Sequence, residues 1–83
     1  MTMDCIKLHI VSPEGTLVEQ SVSSVTLPGT IGPFMVLNNH APIISSLEKG
    51  EIMYVSDGKE SRLSIREGFV EVHDNQVDVC VEV

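Results

Sequence analysis

Aromatic and basic residues are both scarce in this 83-residue chain, which has no tryptophan, one tyrosine and two phenylalanines. Pockets that bind small ligands are usually lined by aromatic side chains, so the scarcity weakens the case for a free-standing carbohydrate- or peptide-binding module. Five Lys and Arg stand against twelve Asp and Glu, and the formal net charge is −7. Nucleic acids and anionic membranes both require clustered basic residues. We therefore expect no nucleic-acid partner, and the negative charge favours solubility or a basic protein partner.

Long hydrophobic runs are also missing. No apolar run approaches the ~20 residues of a membrane-spanning helix, and the N-terminus lacks the charged and then apolar regions of a signal peptide. We expect a cytosolic chain with no direct membrane insertion. Cys5 and Cys80 fall in the first and last predicted strands. In a cytosolic chain we expect free, buried thiols, although a disulfide between neighbouring terminal strands stays open.

The length and hydropathy of the chain together suggest a permanent partner. A single domain of this size buries about 60–65% of the surface that its unfolded form exposes. Hydrophobic residues make up 42% of the sequence, and the mean hydropathy of +0.18 is high for a small monomer. We expect part of this apolar surface to face another protein, which would stabilise the fold by mass action.

Alternating apolar and polar residues predict an all-β fold. Ile6, Leu8 and Ile10 share one face of the first strand, and no segment of ten or more residues shows the helical period. Short strands with turn signals every six to ten residues indicate an antiparallel sandwich or a flattened barrel. The predicted strands are residues 5–11, 16–20, 21–27, 34–37, 43–47, 52–56, 59–66, 69–73 and 77–83.

Glycine, proline and asparagine mark the predicted turns. Asp57-Gly58 is the strongest hairpin signal, Asp74-Asn75 predicts a tight turn, and Glu67-Gly68 predicts a bend or bulge. Asn38-Asn39 predicts a bend, because asparagine tolerates left-handed backbone angles. The continuously apolar residues 34–37 predict a strand that is covered on both faces.

No arrangement of residues in the sequence indicates catalysis or metal binding. His9, His40 and His73 lie in separate segments, without the paired spacing of a zinc site. No serine lies in a nucleophile motif, and the acidic residues are spread through turns and outward-facing positions. We expect no catalytic residue, no cofactor and no metal. For His40, which lies between a bend and Ala-Pro, we expect a ring hydrogen bond to a turn carbonyl and, compatibly, a contact with a partner.

The segment from Leu27 to Gly50 resembles the N-terminal domain of the epsilon subunit of F-type ATP synthases, called delta in mitochondria. The resemblance spans essentially all 83 residues in the correct order. It rests on Ile10–Gly15, Leu27-Pro28-Gly29, Gly32–Leu37, Asn38-Asn39-His40-Ala41-Pro42-Ile43-Ile44, Leu47–Gly50, Gly68–Val72 and Asn75–Val79.

The resemblance implies a single antiparallel β-sandwich of about nine to ten short strands, occupying residues 1–83 as one epsilon-type domain. It further implies a non-catalytic rotor subunit of the central stalk, on the cytoplasmic face of the bacterial inner membrane. Such a subunit binds the gamma subunit and the c-ring and helps couple proton transport to ATP synthesis. The expected c-ring contacts form two loops at one end of the sandwich: Gly29, Thr30, Ile31, Gly32 and Pro33, and Asn38, Asn39, His40, Ala41 and Pro42.

The sequence also departs from the family pattern. Pro33 stands where many relatives carry an acid in the loop that faces the c-ring, Met35 replaces a usual glycine, and Glu67 replaces the first of two glycines. The family usually continues into a C-terminal helical hairpin that inhibits ATP hydrolysis and in some members binds nucleotide. The sequence ends at Val83, and we expect no such hairpin and no nucleotide site. The absence of tag or linker residues favours a natural end, and a truncated gene product stays open. The alternative function is a free-standing β-sandwich module that binds a ligand or a protein.

Overall fold

The computed structural model describes residues 4–83, and every regular element in that range is a β-strand. No helix within these residues is long and apolar enough to cross a bilayer. The strands are β1 Ile6–Ser12, β2 Gly15–Val22, β3 Ser24–Leu27, β4 Phe34–Val36, β5 Ile43–Leu47, β6 Gly50–Ser56, β7 Lys59–Ile65, β8 Glu67–His73 and β9 Gln76–Glu82.

The strands form two sheets whose inner faces pack together as a β-sandwich, as predicted. The five-stranded sheet has the order β2-β1-β9-β8-β5, and the four-stranded sheet has the order β4-β3-β6-β7. Every described pair of neighbours is antiparallel except β1 and β9, which run parallel. The parallel pair joins the first and last strands of the chain, which lie side by side in the larger sheet.

The core is made of aliphatic side chains from alternate positions along both sheets. Ile6, Leu8 and Ile10 of β1 are each at most 1% exposed, whereas Lys7 between them is exposed. Leu27 and Ile52 supply the facing side chains of the smaller sheet. Within residues 4–83, no polar or charged side chain is buried. The period-two alternation in the sequence therefore identifies the inward face correctly.

The predicted turns adopt the backbone that their residues favour. Asp57 and Gly58 have φ of 52° and 75°, and Asp74 and Asn75 have φ of 49° and 58°. Two consecutive residues with positive φ make a type I′ turn, whose twist matches that of the flanking strands. Gly15, which ends the first turn, has a φ of 134° that favours glycine.

Three details of the predicted strands are wrong. Residues 21 and 22 belong to β2, and a bend at Ser23 separates them from β3. The apolar run 34–37 is not covered on both faces, because β4 is an edge strand, and Met35 and Leu37 are 50% and 52% exposed. Gly68 lies in regular register with Val81 rather than in a bulge.

β5 runs from one end of the sandwich to the other, so its first and last residues identify the two ends. At one end, Leu47 pairs with Gly68 and also bridges Gly29; we call this the Leu47 end. At the other end, Ile43 pairs with Val72 just before the turn that contains Asn75; we call this the Asn75 end. The five residues of β5 separate the two ends by about 14 Å, at ~3.4 Å per residue.

Candidate functional site

The loop of residues 29–33 lies at the Leu47 end and is held by backbone hydrogen bonds. The amide of Thr30 donates to the carbonyl of Ser46 at 3.1 Å, and the side-chain hydroxyls of the same two residues lie 2.8 Å apart. The amide of Gly32 donates to the carbonyl of Gly29 at 3.0 Å. A Cβ at Gly29 would lie 2.7 Å from the carbonyl oxygen of Gly32, so this tight loop requires glycine there.

This loop presents one fully exposed apolar side chain. Ile31 has a relative exposure of 103%, and Gly32 and Pro33 beside it are also exposed. An isolated exposed isoleucine is not unusual in itself. Here the backbone on both sides is fixed by hydrogen bonds, so the side chain is presented in a defined place at the tip of the sandwich.

The loop of residues 38–42 lies at the Asn75 end, and its histidine bonds as predicted. Asn39 has a φ of 62°, and the amide of His40 donates to the carbonyl of Leu37 at 3.2 Å. Nδ1 of His40 lies 2.7 Å from the carbonyl oxygen of Ala41. A carbonyl oxygen only accepts, so Nδ1 carries the hydrogen, and Nε2 is left free to accept from a partner when the ring is neutral.

Asn75 ties this loop to the β8–β9 turn, and the sequence analysis missed it. Its Oδ1 accepts from the backbone amide of Asn39 at 2.7 Å, and its Nδ2 donates to Oδ1 of Asn38 at 2.7 Å. Its backbone carbonyl accepts from the amide of Lys7 at 2.9 Å. One residue therefore joins three segments: the loop, the turn and the start of β1.

The expectation that both loops lie at one end of the sandwich is wrong. β4 runs antiparallel to β3, from Phe34 opposite Leu27 to Val36 opposite Val25, and so carries the chain away from the first loop. β5 then returns from the second loop to the Leu47 end. The ten predicted contact residues consequently form two separate surfaces, at opposite ends of the molecule.

An open groove of about 640 Å³ lies beside the first loop. Its floor follows one register row across the five-stranded sheet, in which Val11 pairs with Cys80, and Cys80 pairs with Phe69. Phe69, at 54% exposure, is the largest apolar side chain of this row. Glu67 and Glu82 also line the groove. The Leu47 end therefore combines apolar and acidic surface.

Both cysteines are free, as expected, but they are exposed rather than buried. Cys5 precedes β1, whereas Cys80 pairs with Val11 near the other end of that strand. Side chains alternate between the two faces of a strand, and the inward positions of β9 are Val79 and Val81. The length of β1 separates the two thiols, which rules out the disulfide that the sequence left open.

Some of the other titratable side chains lie close to one another on the surface. Asp78 lies 3.8 Å from Nδ1 of His9 and 4.0 Å from Nε2 of His73. On the smaller sheet, hydrogen bonds and charge from Glu60, and then from Glu51, raise the pKa of Arg62 above its ordinary value. In the part of the chain that is described, no three His, Cys, Asp or Glu residues are placed to hold a metal ion.

Comparison with protein families gives a match over nearly the whole chain. The family model of the ATP synthase delta/epsilon chain β-sandwich domain matches residues 5–83. The ATP synthase epsilon chain of Desulfitobacterium hafniense is 44% identical over 75 residues, covering 90% of this chain and 57% of that protein. The epsilon chain of a Nitratiruptor species is 44% identical over 81 residues, covering 96% of this chain and 63% of that protein. The chain thus spans somewhat over half the length of these relatives.

Solved structures share the fold. A chain in the mitochondrial ATP synthase of Euglena gracilis (OSCP/F1/c-ring) superposes with a TM-score of 0.87 at 25% identity, covering 94% of this chain and 51% of that chain. A chain in the central stalk/c-ring structure of Tetrahymena thermophila mitochondrial ATP synthase gives a TM-score of 0.80 at 14% identity, covering 100% of this chain and 67% of that chain. The second likeness shows the fold alone.

Proposed function

Because this chain belongs to the ATP synthase delta/epsilon family by its β-sandwich domain, we propose that it is a non-catalytic central-stalk subunit of the proton-translocating F-type ATP synthase. In this role it binds the gamma subunit and the c-ring, turns with them, and helps couple proton transport to ATP synthesis. It is a peripheral subunit on the cytoplasmic face of the bacterial inner membrane.

The observation that carries this proposal is the family match over residues 5–83. The relatives at 44% identity are epsilon chains of ATP synthase, and the Euglena neighbour belongs to an assembly that contains F1 and the c-ring. The sandwich itself suits a coupling element, because short hydrogen-bonded turns and an all-aliphatic core leave few ways for it to deform.

The separation of the two loops supports assigning them to different partners. We take the loop containing Pro33 as the c-ring contact that the family resemblance implies, which makes the Leu47 end, with exposed Ile31, the proposed ring-facing end. The loop of residues 38–42 lies at the opposite end and cannot rest on the same ring surface. We therefore assign this second loop, with His40, to the gamma subunit.

A ring contact at the Leu47 end does not depend on an acid at position 33. Glu67 and Glu82 are exposed beside the groove at this end, and Glu48, which follows β5, is exposed as well. Together with the net charge of −7, they favour a basic partner surface. The apolar contact of Ile31 supplies the non-polar part of such an interface.

Affinity purification from the protein's own membranes tests the proposal. The full chain, with an affinity tag, is expressed in its own organism and purified after mild detergent extraction. We expect the gamma and c subunits to be recovered with it at a fixed ratio, one chain per gamma. If the tagged chain is recovered by itself or only with unrelated proteins, the proposal is overturned, and a separate binding module is favoured.

A further inference from the structure

We infer that Asn75 is a positioning residue, which holds the Asn38–Pro42 loop in the conformation that its partner recognises. The inference rests on the proposed function, since it takes this loop to be the gamma-facing contact. It adds that the contact surface is a unit of two segments, the loop and the β8–β9 turn. Asn75 joins them through two hydrogen bonds of 2.7 Å.

The loop has little else to hold it in place. Asn38, Asn39, Ala41 and Pro42 are all exposed, and His40 is half-buried. Burial of apolar surface therefore contributes little to the loop's conformation, and its geometry depends on hydrogen bonds. Two of these hydrogen bonds are local: the amide of His40 donates to the carbonyl of Leu37, and the ring of His40 donates to the carbonyl of Ala41. Neither bond attaches the loop to the sheet. The bonds of Asn75 attach it to an element 36 and 37 residues away.

The bond to the Asn39 amide also stabilises an uncommon backbone state. Asn39 has a φ of 62°, in the left-handed region that asparagine tolerates better than most residues but that is still less populated than extended angles. Oδ1 of Asn75 accepts from the amide of that same residue. Removing the carboxamide would free Asn39 to return to extended angles, and the position of the His40 ring would change with it.

The position of Asn75 limits the effect of its substitution to this end of the molecule. Its own φ of 58° is one that glycine adopts readily, so Asn75→Gly removes the carboxamide and keeps the turn. Its backbone carbonyl, which accepts from the amide of Lys7, is retained. The buried core residues on either side, Val72 and Val77, are untouched. The variant should therefore change the conformation of the loop while the core stays folded at the assay temperature.

The same turn offers a matched control. Asp74 also has a positive φ, of 49°, and its side chain is 94% exposed and faces His73 rather than the loop. Asp74→Gly therefore makes the same kind of backbone change without breaking the link. Asn75→Asp is the conservative variant: the carboxylate still accepts from the Asn39 amide, and the Asn38 carboxamide can flip and donate to it.

The experiment measures the binding of each full-length variant to the αβγ assembly of the same organism from which this chain has been removed. If only about a tenth of the Asn75→Gly molecules hold the loop correctly, the Kd rises about tenfold. The Kd of Asp74→Gly and Asn75→Asp should stay within about twofold of wild type. Amide hydrogen exchange at Asn39 should accelerate only in Asn75→Gly. If that variant unfolds at the assay temperature, Asn38→Ala, which breaks one of the two bonds, replaces it, with an expected rise of about threefold.

The outcomes separate the inference from the proposed function. If the wild-type chain does not bind the assembly, the proposed function fails and the inference with it. If the wild type binds and Asn75→Gly binds equally well, the inference is overturned while the function stands. Equal losses in Asn75→Gly and Asp74→Gly would also overturn it, because they would reveal a general effect of the turn. A selective loss, with rescue by Asn75→Asp and faster exchange at Asn39, supports it.

Discussion

Glu67 and Glu82 lie directly opposite each other across the β8–β9 pair, and both are exposed. Like charges in direct cross-strand register destabilise a sheet, whereas opposite charges contribute roughly 0.2–1 kcal/mol. The isolated chain therefore carries an unfavourable contact at the end that we assign to the c-ring. A cationic partner at this position would relieve the repulsion.

The acidic pair gives the first prediction. Glu82→Lys should stabilise the isolated chain by about 0.5–1 kcal/mol, because it turns a repulsive pair into an attractive one. Thermal unfolding of the purified chain measures this, with Glu14→Lys as the control for net charge, since Glu14 lies in an exposed turn outside the strands. Equal melting temperatures for Glu82→Lys and Glu14→Lys would contradict it.

Gly68 gives a prediction about packing. A Cβ at this position would overlap the carbonyl oxygen of Cys80 and would lie 3.0 Å from a methyl group of Val81. Gly68→Ala must push β8 and β9 apart, and we expect it to cost about 2 kcal/mol, in the range of overpacking. Ser64→Ala, on the exposed face of β7, is the control. A urea midpoint for Gly68→Ala that matches this control would show that the strands do not approach so closely.

His40 gives a prediction about the loop. The hydrogen bond from Nδ1 to the carbonyl of Ala41 should contribute about 1 kcal/mol to the free energy of unfolding. His40→Ala should therefore lower the melting temperature by about 4–8 °C for a domain of this size. The ring of His9 lies 3.8 Å from its nearest carboxylates, beyond hydrogen-bond distance. His9→Ala should therefore lower the melting temperature less. An unchanged melting temperature in His40→Ala would leave the ring only a role in binding.

Ile31 gives a prediction about the ring contact. Its side chain is fully exposed in the isolated chain, so Ile31→Asp should change the free energy of unfolding by no more than about 0.5 kcal/mol, which is about 2–4 °C in melting temperature. The same change should reduce recovery of the c subunit in the affinity purification while leaving recovery of gamma intact. Ile44→Asp, at a residue that is 76% exposed on β5, controls for an added charge. Full recovery of the c subunit with Ile31→Asp would contradict the assignment of this end.

Local patterns in the sequence were sufficient to predict the elements of the fold. Alternation placed the faces of β1 correctly, and Asp57-Gly58 and Asp74-Asn75 form the predicted tight turns. The apolar run from Phe34 was misread, because a short edge strand and a buried central strand look alike when only hydrophobicity is considered. Cys80 was predicted to be buried but is exposed. It occupies an outward-facing position of β9, whose inward positions are all valine.

The arrangement of the site could not be predicted from local patterns. The two loops are only four residues apart in the sequence, and the three residues of β4 are enough to place them at opposite ends. The role of Asn75 depends on contacts with residues 36 and 37 positions away. The sequence accounts for its identity by the turn, because asparagine tolerates left-handed angles, and by the family motif Asn75–Val79. Neither pattern points to a link with the loop.

The ratio of pumped protons to hydrolysed ATP tests the central claim most directly. Inverted membrane vesicles are prepared from a strain that lacks this chain and from the same strain with the full chain restored. We predict that ATP hydrolysis in the deleted strain drives little proton uptake, and that restoring the chain returns the ratio to the wild-type value. An equal ratio in the two strains, with the ATP synthase present in similar amounts, would contradict a role in coupling.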